Sequence, residues 1–277
     1  MAMKKRTKGN ITAPSLPGKD MLAEVNNNEA GNIYNSLFAK NRKVEYDNKD
    51  IALVNIRTNP DNQIFRAMDD DEDIRILAED IKRNGLMHNL VVFPEQEEGS
   101  AVYVLLSGER RFRALNYLQE KGDATWNIVN CNVVTTPLTE NEKKVLLYSA
   151  NLQVRGGFSD EAIRRQAIAE FITCLQREPY NMSREEALNA TKIVSTVNPR
   201  TIERDARIEE KLKGKLKTLL NDKFLTRSEC ETYLRFEADK QDEIANRFEK
   251  LQAVDCHSDD TESAGKNYVE VLRDTLH

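Results

Sequence analysis

The residues best suited to chemistry in this chain are Ser107-Gly108-Glu109-Arg110-Arg111-Phe112-Arg113-Ala114. They follow the compact apolar run 102–106 and lead into Phe112, Leu115 and Leu118 at helical spacing. A strand that turns through glycine into a helix offers backbone N–H groups and the positive end of the helix dipole to an anion, which suits phosphate. Gly108 lets an anion approach the backbone closely, and Arg110 and Arg111 add forked donors. Glu109 is the odd member. Beside phosphate a carboxylate is repelled unless it holds a divalent cation, orients a water or neutralises an arginine. A helix start with solvated charges is the competing reading, and spacing alone does not separate the two.

A second constellation lies further on. Two helical segments between Ser183 and Ile208 flank Ser195-Thr196-Val197-Asn198, and Asn198-Pro199 has the cap-then-proline signature of a helix start. The pattern predicts a helix-turn-helix near residues 184–212, with the start of its second helix entering the DNA major groove. It nominates Asn198, Arg200, Thr201 and Arg204 for DNA contacts, with Arg207 and Lys211 following, while Ile202 faces inward. Basic residues 211–217 are expected along phosphate. An ordinary helical hairpin with solvated arginines is the alternative, because the turn carries no glycine.

The elements that must position these residues follow from periodicity. Residues 51–56 read as a strand halted by the turn Asn59-Pro60-Asp61-Asn62. Acidic residues 69–73 precede Ile74, Leu77, Ala78 and Ile81, one helical face stopped by Gly85. Segments 90–93 and 102–106 read as paired strands, 110–118 as a helix and 128–134 as a further strand. Beyond Pro137 the pattern becomes helix after helix: 140–152, 161–175, 184–194 and 199–212. Thr139 or Asn141 caps the first, Ser159 or Asp160 the second, and Ser183 with Glu186 has the spacing of a capping box. The expected layout is a basic, mostly disordered tail at 1–45, an α+β domain at 46–137, an all-α domain at 138–250, and an acidic tail at 251–277 with a terminal helix at 268–276.

Composition narrows the classes. In 277 residues, 41 Lys and Arg stand against 46 Asp and Glu, for a net charge of -5. An even spread would oppose nucleic-acid binding, but Arg200, Arg204, Arg207, Lys211, Lys213, Lys215 and Lys217 concentrate positive charge in the middle while the acidic excess lies after Glu229. No apolar stretch is long enough to span a membrane, and no apolar run follows the basic start, so a cytoplasmic location is expected. Cys131, Cys174, Cys230 and Cys256 are widely spaced with no metal-ligand pattern, and read as buried thiols in a reducing compartment. His88, His257 and His277 do not converge; His88 and Trp126 read as packed residues rather than as chemistry.

Leu106 to Ala114, LSGERRFRA, resembles the GERRxRA box of ParB-type N-terminal domains. Gly85-Leu86-Met87-His88-Asn89-Leu90-Val91-Val92 resembles that family's approach to the next strand, Asn151-Leu152-Gln153 the centre of its ENLQR box, and Asn59-Pro60 its entrance turn. The ordered agreement extends over roughly residues 50–250. The resemblance implies a ParB/sulfiredoxin-like first domain that binds CTP with Mg2+, followed by a helix-turn-helix, in a homodimeric, nucleoid-associated DNA clamp that works with a partition ATPase and hydrolyses CTP slowly. Carried over, Ser107, Gly108, Arg110 and Arg111 hold the triphosphate, and Glu109 serves the metal or attacking water as the catalytic candidate. Asn151 helps position the metal, and Arg66 and Arg155 stand in for the arginines of the entrance and ENLQR boxes. Three departures matter: Ala150 replaces a glutamate, Val154 displaces the arginine to Arg155, and Arg66 falls two residues late. Loss of a carboxylate on the metal side weakens hydrolysis more than binding. The turn carries Glu109 and no cysteine, which argues against sulfinic reductase chemistry. A nuclease or phosphotransferase, and a transcription regulator without nucleotide binding, are the alternative functions.

Overall fold

The computed structural model describes residues 44–66, 70–97, 100–154 and 160–255. Strand β1 (Tyr46–Ala52) gives way to a 3-10 turn (Leu53–Asn55), the two-residue β2 (Ile56–Arg57), a second 3-10 turn (Pro60–Asn62) and the short helix α1 (Gln63–Arg66). Then come α2 (Asp71–Asn84), β3 (Leu90–Glu97), β4 (Ser100–Ser107), α3 (Glu109–Glu120) and β5 (Ile128–Val134). The five strands form one mixed sheet in the order β1-β5-β3-β4-β2. Pairs β1/β5 and β3/β4 are antiparallel, whereas β3/β5 and β2/β4 are parallel.

The strand expected at 51–56 is therefore broken after Ala52. β1 ends paired with Ile128 at one edge of the sheet, and Ile56 begins a new pairing with Tyr103 at the opposite edge. Four Cα–Cα steps of about 3.8 Å reach at most about 15 Å, less than the roughly 19 Å across four flat inter-strand gaps. The sheet must curl for so short a turn to join its two edges.

Side chains of a strand alternate between faces, and here both faces are covered. Leu90, Val92, Leu105, Val129, Cys131 and Val133 pack against Ile74, Ala78 and Ile81 of α2 and Phe112, Leu115 and Leu118 of α3. On the other face Phe93, Val104, Leu106 and Val134 pack against the helices that follow: α4 (Glu140–Val154), α5 (Glu161–Gln176), α6 (Arg184–Val194) and α7 (Pro199–Lys211). One apolar core thus runs across residue 137. A third cluster joins Ile208 and Leu212 to α8 (Gly214–Asn221), α9 (Arg227–Tyr233) and α10 (Ala238–Asp255).

Helix starts follow the sequence closely. Thr139 and Glu142 bond reciprocally, with the Thr139 N–H donating to the carboxylate at 2.7 Å and the Glu142 N–H donating to the hydroxyl at 3.2 Å. Asn141 is not the cap; its amide donates to the carbonyls of Cys174 and Glu178, both at 2.8 Å, and ties α4 to the end of α5. Asp160 caps α5, and Ser183 with Glu186 forms a capping box on α6. Trp126 is partly buried against the α2/α3 core, whereas His88, expected to be packed, is exposed. Ser159, both terminal tails beyond 44–255 and the helix expected at 268–276 lie outside the described residues.

Charge also holds the helices together. Asp205 on α7 is fully buried, accepts from Arg164 Nε of α5 at 2.7 Å and lies 3.5 Å from Arg227 of α9. Beside it Arg165, 1% exposed, donates to Asn221 at 2.6 Å and lies 3.5 Å from Glu209. Removing one member strands a buried opposite charge. Asp205→Ala is expected to cost about 3–5 kcal/mol, read as a lowered urea midpoint; an unchanged midpoint would show the pairing to be idle.

Candidate functional site

The turn at 107–109 is built by three neighbours. Ser107 ends β4 opposite Val91, where a register shift between Val91 and Val92 marks an irregularity in β3. Gly108 follows at φ 104°, a left-handed conformation that favours glycine. A Cβ there would lie 2.8 Å from Leu90 Cδ2 and 3.3 Å from Arg111 Nη2. The left-handed φ and the need to shift Leu90 together favour glycine at this position, with no ligand required to explain it. Gly108 also leaves α3 without a side-chain cap, whereas α2, α5, α6, α7 and α9 each begin on one.

The two arginines at the helix start are set in different surroundings. Arg111 Nη1 donates to the backbone carbonyls of His88 at 2.5 Å and Asn89 at 2.9 Å, clamping the approach to β3 beneath the turn. Arg110 is about half exposed, with Asp73 4.0 Å away, and Arg113 meets Asp71 at 3.0 Å. The acidic first turn of α2 thus faces the arginines in the first two turns of α3, a pairing that spacing along the chain does not reveal. Glu109 is buried, 8% exposed, at the positive end of the α3 dipole.

Asn151, near the end of α4, reaches the entrance turn. Its Nδ2 donates to Leu147 O at 2.9 Å and to Asn62 Oδ1 at 3.3 Å. Asn59 is buried and caps that turn by accepting from the Asp61 N–H at 2.9 Å. Lys144 reaches Asp61 at 3.0 Å, and that hydrogen bond holds its ammonium above the usual lysine range. The sequence marks Asp61 and Asn62 only as part of a turn and gives Lys144 no signal; their tertiary contacts with α4 are what place them at the site. Ala150 is buried within α4. Arg66 closes α1, but its side chain, like the whole of Arg155, lies outside the described residues.

Arg200, Arg204, Arg207 and Lys211 fall at spacings of four, three and four, one stripe of α7 that runs beside the buried arc of Ile202, Asp205 and Ile208. Thr201 is half-buried at the flank, and Asn198 is used as the cap, accepting from the Arg200 N–H at 2.9 Å. Carboxylates interleave with this basic face. Lys192 of α6 donates to Glu203 at 2.5 Å, Arg184 to Glu210 at 2.9 Å, and Arg204 and Arg207 both to Glu231 of α9. The Lys192 hydrogen bond and charge, with further help from Arg200 and Arg207, hold the Glu203 carboxyl below its usual range. An open cleft of about 450 Å³ lies among these groups. The lysines expected along phosphate are partly engaged within the protein, since Lys217 pairs with Glu209 and Lys215 donates to Asn246 at 2.8 Å.

Among the described residues no cluster of three or more His, Cys, Asp or Glu forms a metal site, and no helix is long and apolar enough to cross a membrane. Cys131, Cys174 and Cys230 are buried free thiols; burial pushes Cys131 and Cys230 up to about 12 and Cys174 up to about 11.

A mixed sheet covered on both faces, with a strand-glycine-helix turn at the head of α3, defines an α/β module. Residues 37–142 match the family described as ParB N-terminal domain, and over this stretch the chain is ParB-like. Among solved structures it is similar to the C-terminally truncated chromosome-partitioning protein ParB from Caulobacter crescentus complexed with CTP-gamma-S, at 19% identity over 73% of this chain and 98% of that one, with a TM-score of 0.31. It is also similar to the C2221 form of a pNOB8-like ParB-N domain, at 11% identity over 85% and 100% of the two chains, with a TM-score of 0.43. A further pNOB8-like ParB N-domain structure aligns at 12% identity over 81% and 96%, with a TM-score of 0.37. No curated protein matches the chain.

Two substitutions test the turn. Gly108→Ala imposes a strained φ and a clash with Leu90, and is expected to cost about 1–3 kcal/mol in a urea titration. Arg111→Ala removes a charged donor from two carbonyls and is expected to cost about 1.5–3 kcal/mol without any ligand; undiminished ligand-free stability would make Arg111 a ligand arm only.

Proposed function

We propose that this ParB-like chain is a partition protein that binds DNA through its helical half and a nucleoside triphosphate, CTP, at residues 107–111. The observation that carries the nucleotide reading is the uncapped start of α3, reached through a glycine turn and flanked by half-exposed Arg110. Ser107, Gly108 and Arg110 receive the triphosphate, with Arg111 bracing the turn from beneath. Glu109, alone or with Asn151, is the proposed Mg2+ ligand, and Arg66 and Arg155 are proposed to flank the nucleotide. The metal would neutralise phosphate charge, and slow hydrolysis would use Glu109 to orient water. Ala150 in place of a carboxylate favours binding over turnover.

The α6–turn–α7 unit is read as the helix-turn-helix, supported by the capped Asn198-Pro199 start and the Arg200, Arg204, Arg207, Lys211 stripe. A homodimer, a partner ATPase and a nucleoid location complete the reading, in which nucleotide binding gates closure on DNA.

A transcription regulator without nucleotide binding is the second reading, favoured by Arg111, whose Nη1 already serves two backbone carbonyls. Calorimetry with CTP, ATP and GTP, with and without Mg2+ and duplex DNA, separates the two. CTP is expected to bind, and Arg110→Ala to weaken it at least tenfold, about 1.4 kcal/mol. If no nucleotide binds while DNA does, the regulator reading stands. For the DNA half, replacing Arg200 and Lys211 together with Ala is expected to abolish a gel shift while the circular dichroism spectrum is retained; an undisturbed shift would move the DNA surface elsewhere.

A further inference from the structure

Arg204 and Arg207 converge on one anion supplied by the chain itself. Arg204 Nη2 donates to Oε2 of Glu231 at 2.6 Å and Arg207 Nη2 donates to Oε1, so each oxygen of the carboxylate takes one guanidinium. A backbone phosphate of DNA presents the same pattern, two non-bridging oxygens sharing a single negative charge. Ser228 Oγ, 3.0 Å from the same Arg204 nitrogen, adds a hydroxyl beside the pair.

The pairing is not needed to build either helix. α9 starts on a complete capping box between Thr226 and Glu229, and α7 is anchored by the buried Ile202, Asp205 and Ile208. Nor is the pair sealed from solvent: the side chains of Arg204, Arg207 and Glu231 are 30%, 52% and 28% exposed at the margin of the open cleft. A pair that is half-buried and open to water on one side contributes modestly to stability, so exchanging one anion for another in the same place costs the fold little.

We propose that Glu231 is a built-in phosphate mimic, holding Arg204 and Arg207 in the geometry for a DNA phosphate and yielding them only when a backbone phosphate displaces its carboxylate. The inference rests on the DNA-binding reading above. Its consequence is discrimination: loose, non-specific contact with DNA must work against the carboxylate, whereas a well-seated complex gains both arginines.

The test uses Glu231→Gln in the full chain, with a mixed-sequence DNA duplex followed by fluorescence anisotropy over a range of salt concentrations. The variant is expected to bind severalfold more tightly and to steepen the slope of log K against log salt by about 0.9, the increment for one further neutralised phosphate. Replacing Arg204 and Arg207 with Ala in the variant should erase the gain. Equal affinity and slope for wild type and variant overturn the inference, as does weaker binding by the variant, which would make Glu231 a support that DNA leaves in place. A gain that survives loss of both arginines also overturns it, since general charge would then be the cause. Wild-type binding combined with an indifferent variant rejects this inference alone; no binding by either protein rejects the DNA reading with it. A urea midpoint unchanged by Glu231→Gln ties the difference to the surface and not to folding.

Discussion

Successive side chains of β4 leave on opposite faces of the sheet, and most of the architecture depends on that alternation. Leu105 goes to the α2/α3 core, while Val104 and Leu106 go to the core shared with the later helices. Neither face can be left to water without exposing a row of branched aliphatic side chains. The helices after residue 137 are thereby the second cover of the sheet as well as the bearers of the basic stripe. The strand that ends at Ser107 touches both layers, which gives the candidate phosphate turn and the helical half a common mechanical base.

Around the turn, packing and charge restrict the same residues. Leu90 would have to move to admit a side chain at Gly108, the Arg111 guanidinium stands tight beside it, and Arg111 in turn secures the backbone before β3. The clamp keeps the start of α3 in shape without placing a side-chain cap over it. Asp71 and Asp73 moderate the positive charge of Arg113 and Arg110, so an incoming anion would meet a balanced surface rather than a bare cationic one.

Burial separates the ion pairs of the helical half into two kinds. Asp205 lies wholly inside, and its partners hold α5, α7 and α9 in fixed relation because an unpaired charge there is expensive. Glu231 lies half-buried at the margin of the same helices, where water reaches the pair and screens it in part. The inner pair sets geometry, and the outer one leaves the arginines available in a defined arrangement.

Many features of the fold are local and therefore legible along the chain. Val and Ile clustering, the stop at Gly85, the Ser183-Glu186 box and the Asn198-Pro199 start each depend on residues within one turn of one another, and the ordered boxes around 106–114 and 151–153 carry the ParB resemblance. The break after Ala52 is not legible, since residues 51–56 are largely apolar and only pairing with β5 and then β4 divides them. Asn141 meets its partners 33 and 37 residues away rather than capping its own helix. Side-chain type and short spacing were thus enough to set the helices from 71 to 211, the three strands β3, β4 and β5, several of the caps, the glycine turn and the basic stripe, whereas the short helices α8 and α9 and the helix α10 were not separated along the chain. The clamp of Arg111 on backbone carbonyls, the link from Asn151 to the entrance turn and the hold of Glu231 on Arg204 and Arg207 follow from no local pattern, because each joins segments that lie far apart until the chain folds.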